Sequence, residues 1–138
     1  MGIPDDRLYE YAVVRYVPRV DRGEFVNIGL IMMCKRCKWL KGQIVLDKAR
    51  ILGFDPKANL GALYLQASVF ERSNVPSAEM PVEERYRWLT AVKSAVIQVS
   101  PSHPGIIPPA EPGDISDSSE RLEAEFRRLL DDLILLGR

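Results

Sequence analysis

A chain of 138 residues has the size of one ordinary domain. With 46% hydrophobic and 28% charged residues it can build a core without disulfide or metal staples. A formal net charge of zero argues against broad attraction to nucleic acid or to membrane surfaces.

Leu8 to Val17 is rich in aromatic and β-branched residues and reads as a strand ended by Pro18. Arg19-Val20-Asp21-Arg22-Gly23 is a polar loop whose glycine can take a positive φ. Glu24 to Cys34 is a second strand. Strict alternation puts Phe25, Ile31 and Met33 on one face and Val26, Ile28, Leu30 and Met32 on the other. Both faces are apolar, so this strand is expected at the centre of a sheet, covered on both sides by helices or by a second subunit. A basic turn, Lys35 to Lys38, leads to a third strand, Trp39 to Asp47. Three strands joined by short links imply an antiparallel meander.

The periodicity then changes from two to 3.6. Asp55-Pro56 has the chemistry of a helix start, and Leu60, Leu63, Tyr64, Ala67 and Phe70 form one stripe. Pro81 opens a second helix with Val82, Tyr86, Leu89 and Val92 on one face, and Val96 to Val99 reads as a fourth strand. Ser100 to Gly113 holds five of the ten prolines and two glycines and is expected to be irregular. Asp117 and Glu120 resemble a capping box, Leu122, Phe126, Leu129, Leu130, Leu133 and Leu136 make the last helix amphipathic, and Gly137 stops it. The expected fold is α+β: an antiparallel sheet of about four strands with three helices packed on it, in the order β-β-β-α-α-β-α, forming a single domain over residues 1–138.

No apolar run approaches the roughly 18 residues that cross a bilayer. Met1 to Asp6 has neither the basic stretch and apolar segment of a signal peptide nor a myristoylation pattern. A cytoplasmic location, without membrane contact, is the resulting expectation. Charge is nonetheless uneven: residues 1–50 hold ten Lys and Arg against six Asp and Glu, and residues 51–138 hold nine against thirteen. A basic part facing an acidic part suits self-association as a homodimer, or one local anion site.

Cys34-Lys35-Arg36-Cys37 carries both cysteines, at an expected hairpin tip. Zinc needs four ligands, and the single histidine, His103, stands 66 residues further on, so no metal and no cofactor is implied unless two copies share a zinc. A redox pair of the thioredoxin kind would want a helix N-terminus.

Arg15 to Pro18 continuing to Arg22-Gly23-Glu24-Phe25-Val26-Asn27-Ile28-Gly29, then Glu84 to Leu89, then Ser94 to Pro101 with His103 and Gly105, appear in that order. This series resembles the bacterial domain-of-unknown-function family numbered three thousand and thirty-seven, over roughly residues 9–136. Arg19 stands where members more often have an acidic or small residue, and Pro108 to Ser118 is longer than usual. The resemblance implies no reaction. Through genomic neighbourhood it implies partnership with a HipA-like kinase.

The polar positions that a core does not explain are the site candidates, because an unpaired buried polar group costs roughly 1–3 kcal/mol. Asn27 interrupts an apolar strand with Gly29 two positions on, which suggests a polar notch or, equally, a bond to a loop and room for a helix. Arg15, Arg22 and Glu24 can clamp a carboxylate or phosphate, or Arg22 and Glu24 can pair with each other. Ser100 and His103 lie in the proline-rich segment without a nucleophile elbow or an evident acidic partner. Lys35, Arg36, Lys38 and Lys41 with Trp39 between them could meet single-stranded nucleic acid, although no recognised binding motif accompanies them. The leading expectation is a non-enzymatic accessory or interaction protein acting on a partner protein; the alternatives are a small-anion or nucleotide-binding domain using Arg15, Arg22, Glu24, Asn27 and His103, possibly catalytic, and a nucleic-acid binder.

Overall fold

The computed structural model describes residues 7–91 and 94–135. Within them, five strands and four α-helices run in the order β1 (Leu8–Tyr16), β2 (Val26–Cys34), β3 (Trp39–Ile44), α1 (Lys48–Phe54), α2 (Leu60–Ala67), α3 (Val82–Thr90), β4 (Ile97–Val99), β5 (His103–Ile106) and α4 (Ser118–Leu130). A short 3-10 helix, Ser68–Glu71, follows α2, and one π-helical turn, Asp131–Leu135, extends α4. The class is the α+β antiparallel arrangement expected, with one more strand and one more helix.

The sheet order is β3-β2-β1, with β4 and β5 sharing the remaining edge of β1. All pairings are antiparallel. β4 opposes Val14 to Tyr16, and β5 opposes Leu8 to Tyr11. β5 forms inside the segment expected to be irregular. Ile107 N–H bonds Arg7 O at 2.8 Å, so the odd-numbered residues of this strand face the ladder. Pro104, which has no N–H, then falls at an outward position, where an edge strand tolerates proline.

Helices of the same chain cover both faces. On one, Ala12, Val14, Val26, Ile28, Ile31 and Met33 pack against Ile51, Leu63, Phe70, Tyr86 and Leu89. On the other, Tyr9, Val13, Leu30, Met32 and Cys34 pack against Leu122, Phe126, Leu129, Leu130 and Ile134. Phe70 and Phe126 are fully buried, one in each cluster, and each such side chain stabilises by about 1.5–3 kcal/mol. β2 is therefore apolar on both sides because it is sandwiched within its own chain, and it leaves no exposed face that calls for a second subunit.

Strict alternation fails in β2. The register slips between Val14 and Arg15, so that Ile28 is an extra residue between the pairs Val14–Gly29 and Arg15–Asn27. Such a bulge reverses side-chain parity. Val26 and Ile28 consequently join Ile31 and Met33, not Leu30 and Met32.

The helix expected from Asp55 begins later, at Leu60, and an unexpected helix, α1, ends where it was to start. Asp47 caps α1, accepting from Arg50 N at 3.1 Å, and Asn59 caps α2, accepting from Ala62 N at 3.0 Å. Asp55 instead closes α1, and its carboxylate accepts the Tyr16 hydroxyl at 2.6 Å. Pro81 and Asp117 begin α3 and α4 as expected, with Asp117 accepting from Glu120 N at 2.9 Å. Val92, Leu136 and Gly137, which were assigned to helix faces or ends, lie outside the described residues.

The outer edge of β3 is sealed by the 3-10 helix. Gly42 is in contact with the Phe70 carbonyl, where a Cβ would not fit, and Glu71 accepts from Ile44 N at 3.0 Å. At the junction of β4 and β5, Ser100 N–H bonds Val13 O at 2.9 Å while its hydroxyl accepts from Val13 N at 2.9 Å. A side chain here replaces a ladder carbonyl. Ser100→Ala would strand the buried Val13 N–H, and urea unfolding should show a loss of about 1–3 kcal/mol with an unchanged denaturant slope.

Candidate functional site

The sheet outruns its helical layer at the end where β1 begins. Leu8 opposes Ile106, and Glu10 opposes Pro104, on one face of the β1–β5 ladder. Leu8 and Ile106 remain 40% and 44% exposed, large apolar side chains left uncovered. They lie in a groove of about 1280 Å³ whose floor includes Met33 and Gly105. One wall is the chain entering α3, with Met80, Pro81 and Val82; the other is the β2–β3 turn with Lys35, Arg36 and Lys38. Glu79 and Glu83 add negative charge to the α3 wall.

The groove's polar border is built to stay in place. Arg87 donates to both Glu10 carboxylate oxygens, at 3.0 and 3.1 Å, and the Ser102 hydroxyl donates to the same carboxylate at 3.0 Å. Tyr86 OH lies 2.7 Å from Ser102 Oγ, and burial, above all, pushes the phenol up to about 12. Arg85, on the α3 wall, donates to the Met80 and Ser73 carbonyls at 2.9 and 2.6 Å and so fixes the wall's backbone. Lys35, Arg36 and Lys38 are exposed, and no carboxylate among the described residues forms an ion pair with them.

Behind the floor, the Tyr9 ring lies against Gly105, leaving no room for a Cβ there. Its hydroxyl donates to Glu125 Oε2 of α4 at 2.5 Å, and Arg128 donates to both oxygens of Glu125 at 2.8 and 2.9 Å. Burial, then the bond to Glu125, raises the Tyr9 phenol far above its usual range. The Arg128 guanidinium, against the opposing effect of burial, holds the Glu125 carboxyl below its usual range, with Tyr9 assisting.

The residues expected from sequence divide among several places. Arg15 and Asn27 are a cross-strand pair at the sheet's opposite end. The Arg15 guanidinium lies 4.1 Å from the Phe25 ring centroid, and Asn27 donates to Leu133 O at 3.3 Å. Arg15 Nε and Asn27 Oδ1 are buried without a hydrogen-bond partner among the described residues. Arg50 donates to Ile134 O at 2.7 Å, so Asn27 and Arg50 both serve terminal carbonyls of the last helical turn. Gly29 does not share a face with Asn27, because the bulge intervenes. A Cβ on it would meet Ile44 Cδ1 at 2.5 Å and Gln43 O at 2.8 Å, so Gly29 makes room for β3.

Arg22 and Glu24 pair with each other at 2.5 Å on an exposed loop. Ser100 is committed to Val13, and it also donates to Pro101 O at 2.9 Å. His103 is exposed on β5, with its ring 5.3 Å from that of Tyr11. Trp39 turns inward, 6.2 Å from the Phe126 ring, and Lys41 pairs with Glu123 at 2.7 Å, so neither joins the other three basic residues at the groove. Among the described residues no group of three or more His, Cys, Asp or Glu could hold a metal, and no helix is long and apolar enough to cross a membrane. Leu8, Met80, Pro104 and Ile106 were not singled out from sequence. They lie at the first residue of β1, in the loop before α3 and within β5, and an apolar residue at any of these places looks in one dimension like any other.

Sheet, two helical layers and uncovered groove define an α+β protein with an open, apolar-floored cleft and no assigned chemistry. The chain belongs to the family described as protein of unknown function (DUF3037), whose model matches residues 11–134. No curated protein and no solved structure matches it.

Glu125 ties the groove's floor strand to α4, and its lowered pKa sets a direction. The contribution is present above the unfolded carboxyl value, near 4.5, and is lost as pH falls through the folded value. Glu125→Gln should cost roughly 1–2 kcal/mol at neutral pH, a figure reduced because Arg128 is half exposed. The gap to the unmodified protein should narrow steadily in urea titrations taken below that pH.

Proposed function

We propose that this chain is a non-enzymatic interaction protein that receives an extended segment of a partner protein in the groove between Leu8–Ile106 and the α3 wall. The observation that carries this reading is an uncovered apolar floor beside a basic rim. Apolar surface of this kind, bordered by charge, is what a docking site presents. Lys35, Arg36 and Lys38, without carboxylate partners among the described residues, favour a segment with acidic side chains at that edge. Glu79 and Glu83 opposite favour a basic group or a free N–H at the other, which gives the segment a direction. The rigid border formed by Arg87, Glu10 and Ser102 means that little ordering entropy is lost on docking. A HipA-like kinase, the partner implied by the family resemblance, is the first to test.

The small-anion reading has weaker support, because Arg22 and Glu24 pair with each other and His103 stands opposite Tyr11, away from the Arg15–Asn27 end of the sheet. The nucleic-acid reading lacks a stacking platform, since Trp39 faces Phe126.

The test is calorimetric titration with a HipA-like kinase and, separately, fluorescence anisotropy with a peptide alternating Glu and Leu. Charge reversal of Lys35, Arg36 and Lys38 together should weaken binding at least about tenfold, or 1.4 kcal/mol, and Ile106→Asp should do the same while leaving the circular dichroism unchanged. Absence of binding to both probes, or salt-sensitive binding of single-stranded nucleic acid alone, would refute the proposal.

A further inference from the structure

The docking groove uses the cations of the β2–β3 turn but not the two thiols that flank Lys35 and Arg36. Cys34 is fully buried in the α4-side cluster, and Cys37 is partly exposed beside it. Neither is in a disulfide. Cys37 N–H donates to Cys34 Sγ at 3.4 Å, and the two thiols are themselves hydrogen-bond neighbours. The turn is already wound tightly, with Lys38 N–H on Lys35 O at 3.2 Å and Lys38 at a φ of 53°.

We propose that Cys34 and Cys37 are a redox-active dithiol, Cys37 attacking and Cys34 resolving, that closes to an intramolecular disulfide at the expense of a small anionic disulfide of the glutathione class. The Cys37 thiolate attacks one sulfur of the co-substrate, forming a mixed disulfide and releasing one thiolate. The Cys34 thiol then passes its proton to the released thiolate and attacks the Cys37 sulfur, releasing the second thiolate, which takes up the proton that Cys37 gave up. Two electrons pass from the cysteines to the co-substrate, which leaves as two thiols.

The order of attack follows from access. Thiol–disulfide exchange requires an approachable thiolate. Burial first, then its neighbour Cys37, pushes the Cys34 thiol up to about 11, so it stays protonated and shielded until the mixed disulfide is beside it. Lys35, Arg36 and Lys38 ring the exposed partner with positive charge, which draws an anionic co-substrate to Cys37. This inference does not depend on what occupies the groove.

The test uses the full chain, reduced and then exposed to glutathione disulfide, followed by intact mass, thiol counting and timed peptide mapping. The unmodified sequence should lose both thiols and two hydrogens without retaining glutathione, and dithiothreitol should restore it. Early time points should show glutathione on Cys37 at least tenfold more often than on Cys34. Cys34→Ser should trap the Cys37 adduct, whereas Cys37→Ser should remain unmodified. Trp39 emission, isolated by Trp88→Phe, should shift reversibly on oxidation. First attack at Cys34, two unreacted thiols in the native protein, or a bridge formed only between chains would each overturn the assignment. The mapping of the unmodified sequence stands even if a cysteine variant fails to fold.

Discussion

Val13 is bound to Ser100 twice, N–H to hydroxyl and carbonyl to N–H, and the rest of the architecture hangs from that junction. β1, like β2, is hydrogen-bonded along both edges, but one edge of β1 must be shared by β4 and β5. The segment joining them contains Pro101, which has no N–H. The serine hydroxyl accepts from the strand at the point where a backbone carbonyl is missing, so β1 remains paired from Leu8 to Tyr16. Because β5 is thereby held at the start of β1, Ile106 stands opposite Leu8 and a two-strand apolar floor exists at all.

The second constraint is the extra residue in β2. By reversing parity at Ile28 it lets Ile28 and Ile31 serve one core while Leu30 and Met32 serve the other. It also separates Asn27 from Gly29, which strict alternation would place together. Asn27 turns to the end of the last helix, and Gly29 turns to Ile44. The feature that looked most like a ligand notch in one dimension is two unrelated pieces of bracing in three.

Much of the fold was legible because it depends on local periodicity. The two-sided apolar run in β2, the stripe through Leu122, Phe126 and Leu129, and the cap at Asp117 each report their environment within a few residues. β5 was not legible, because proline and glycine ordinarily signal a loop. Only its position as an edge strand, with Pro104 facing away from β1, makes that composition compatible with pairing. The site was hardest to read. Ser100 and Arg22 attract attention as reactive residue types, yet their partners, Val13 and Glu24, already occupy them. Leu8 and Ile106, 98 positions apart, become a surface only through a register that no local pattern encodes.

The same register explains why the groove persists instead of collapsing into core. α3 begins at Val82, and Arg85 on it donates to the Ser73 and Met80 carbonyls of the chain before it, so the helical layer is anchored short of the strand ends. From the opposite face, Tyr9 lies against Gly105 and reaches Glu125, which holds the floor strands flat against α4. Closing the cleft would require breaking the carboxylate clamp formed by Arg87 and Ser102 on Glu10, at its border, or the phenol–carboxylate bond behind it. The buried phenol–carboxylate bond is worth about 1.5–3 kcal/mol, the solvent-exposed Arg87–Glu10 pair about 0–1 kcal/mol, and burying what is left exposed of Leu8 or Ile106 would return only about 1 kcal/mol. The exposed apolar pair is therefore maintained by polar bonds on either side of it, and the basic turn that borders it is left projecting toward solvent.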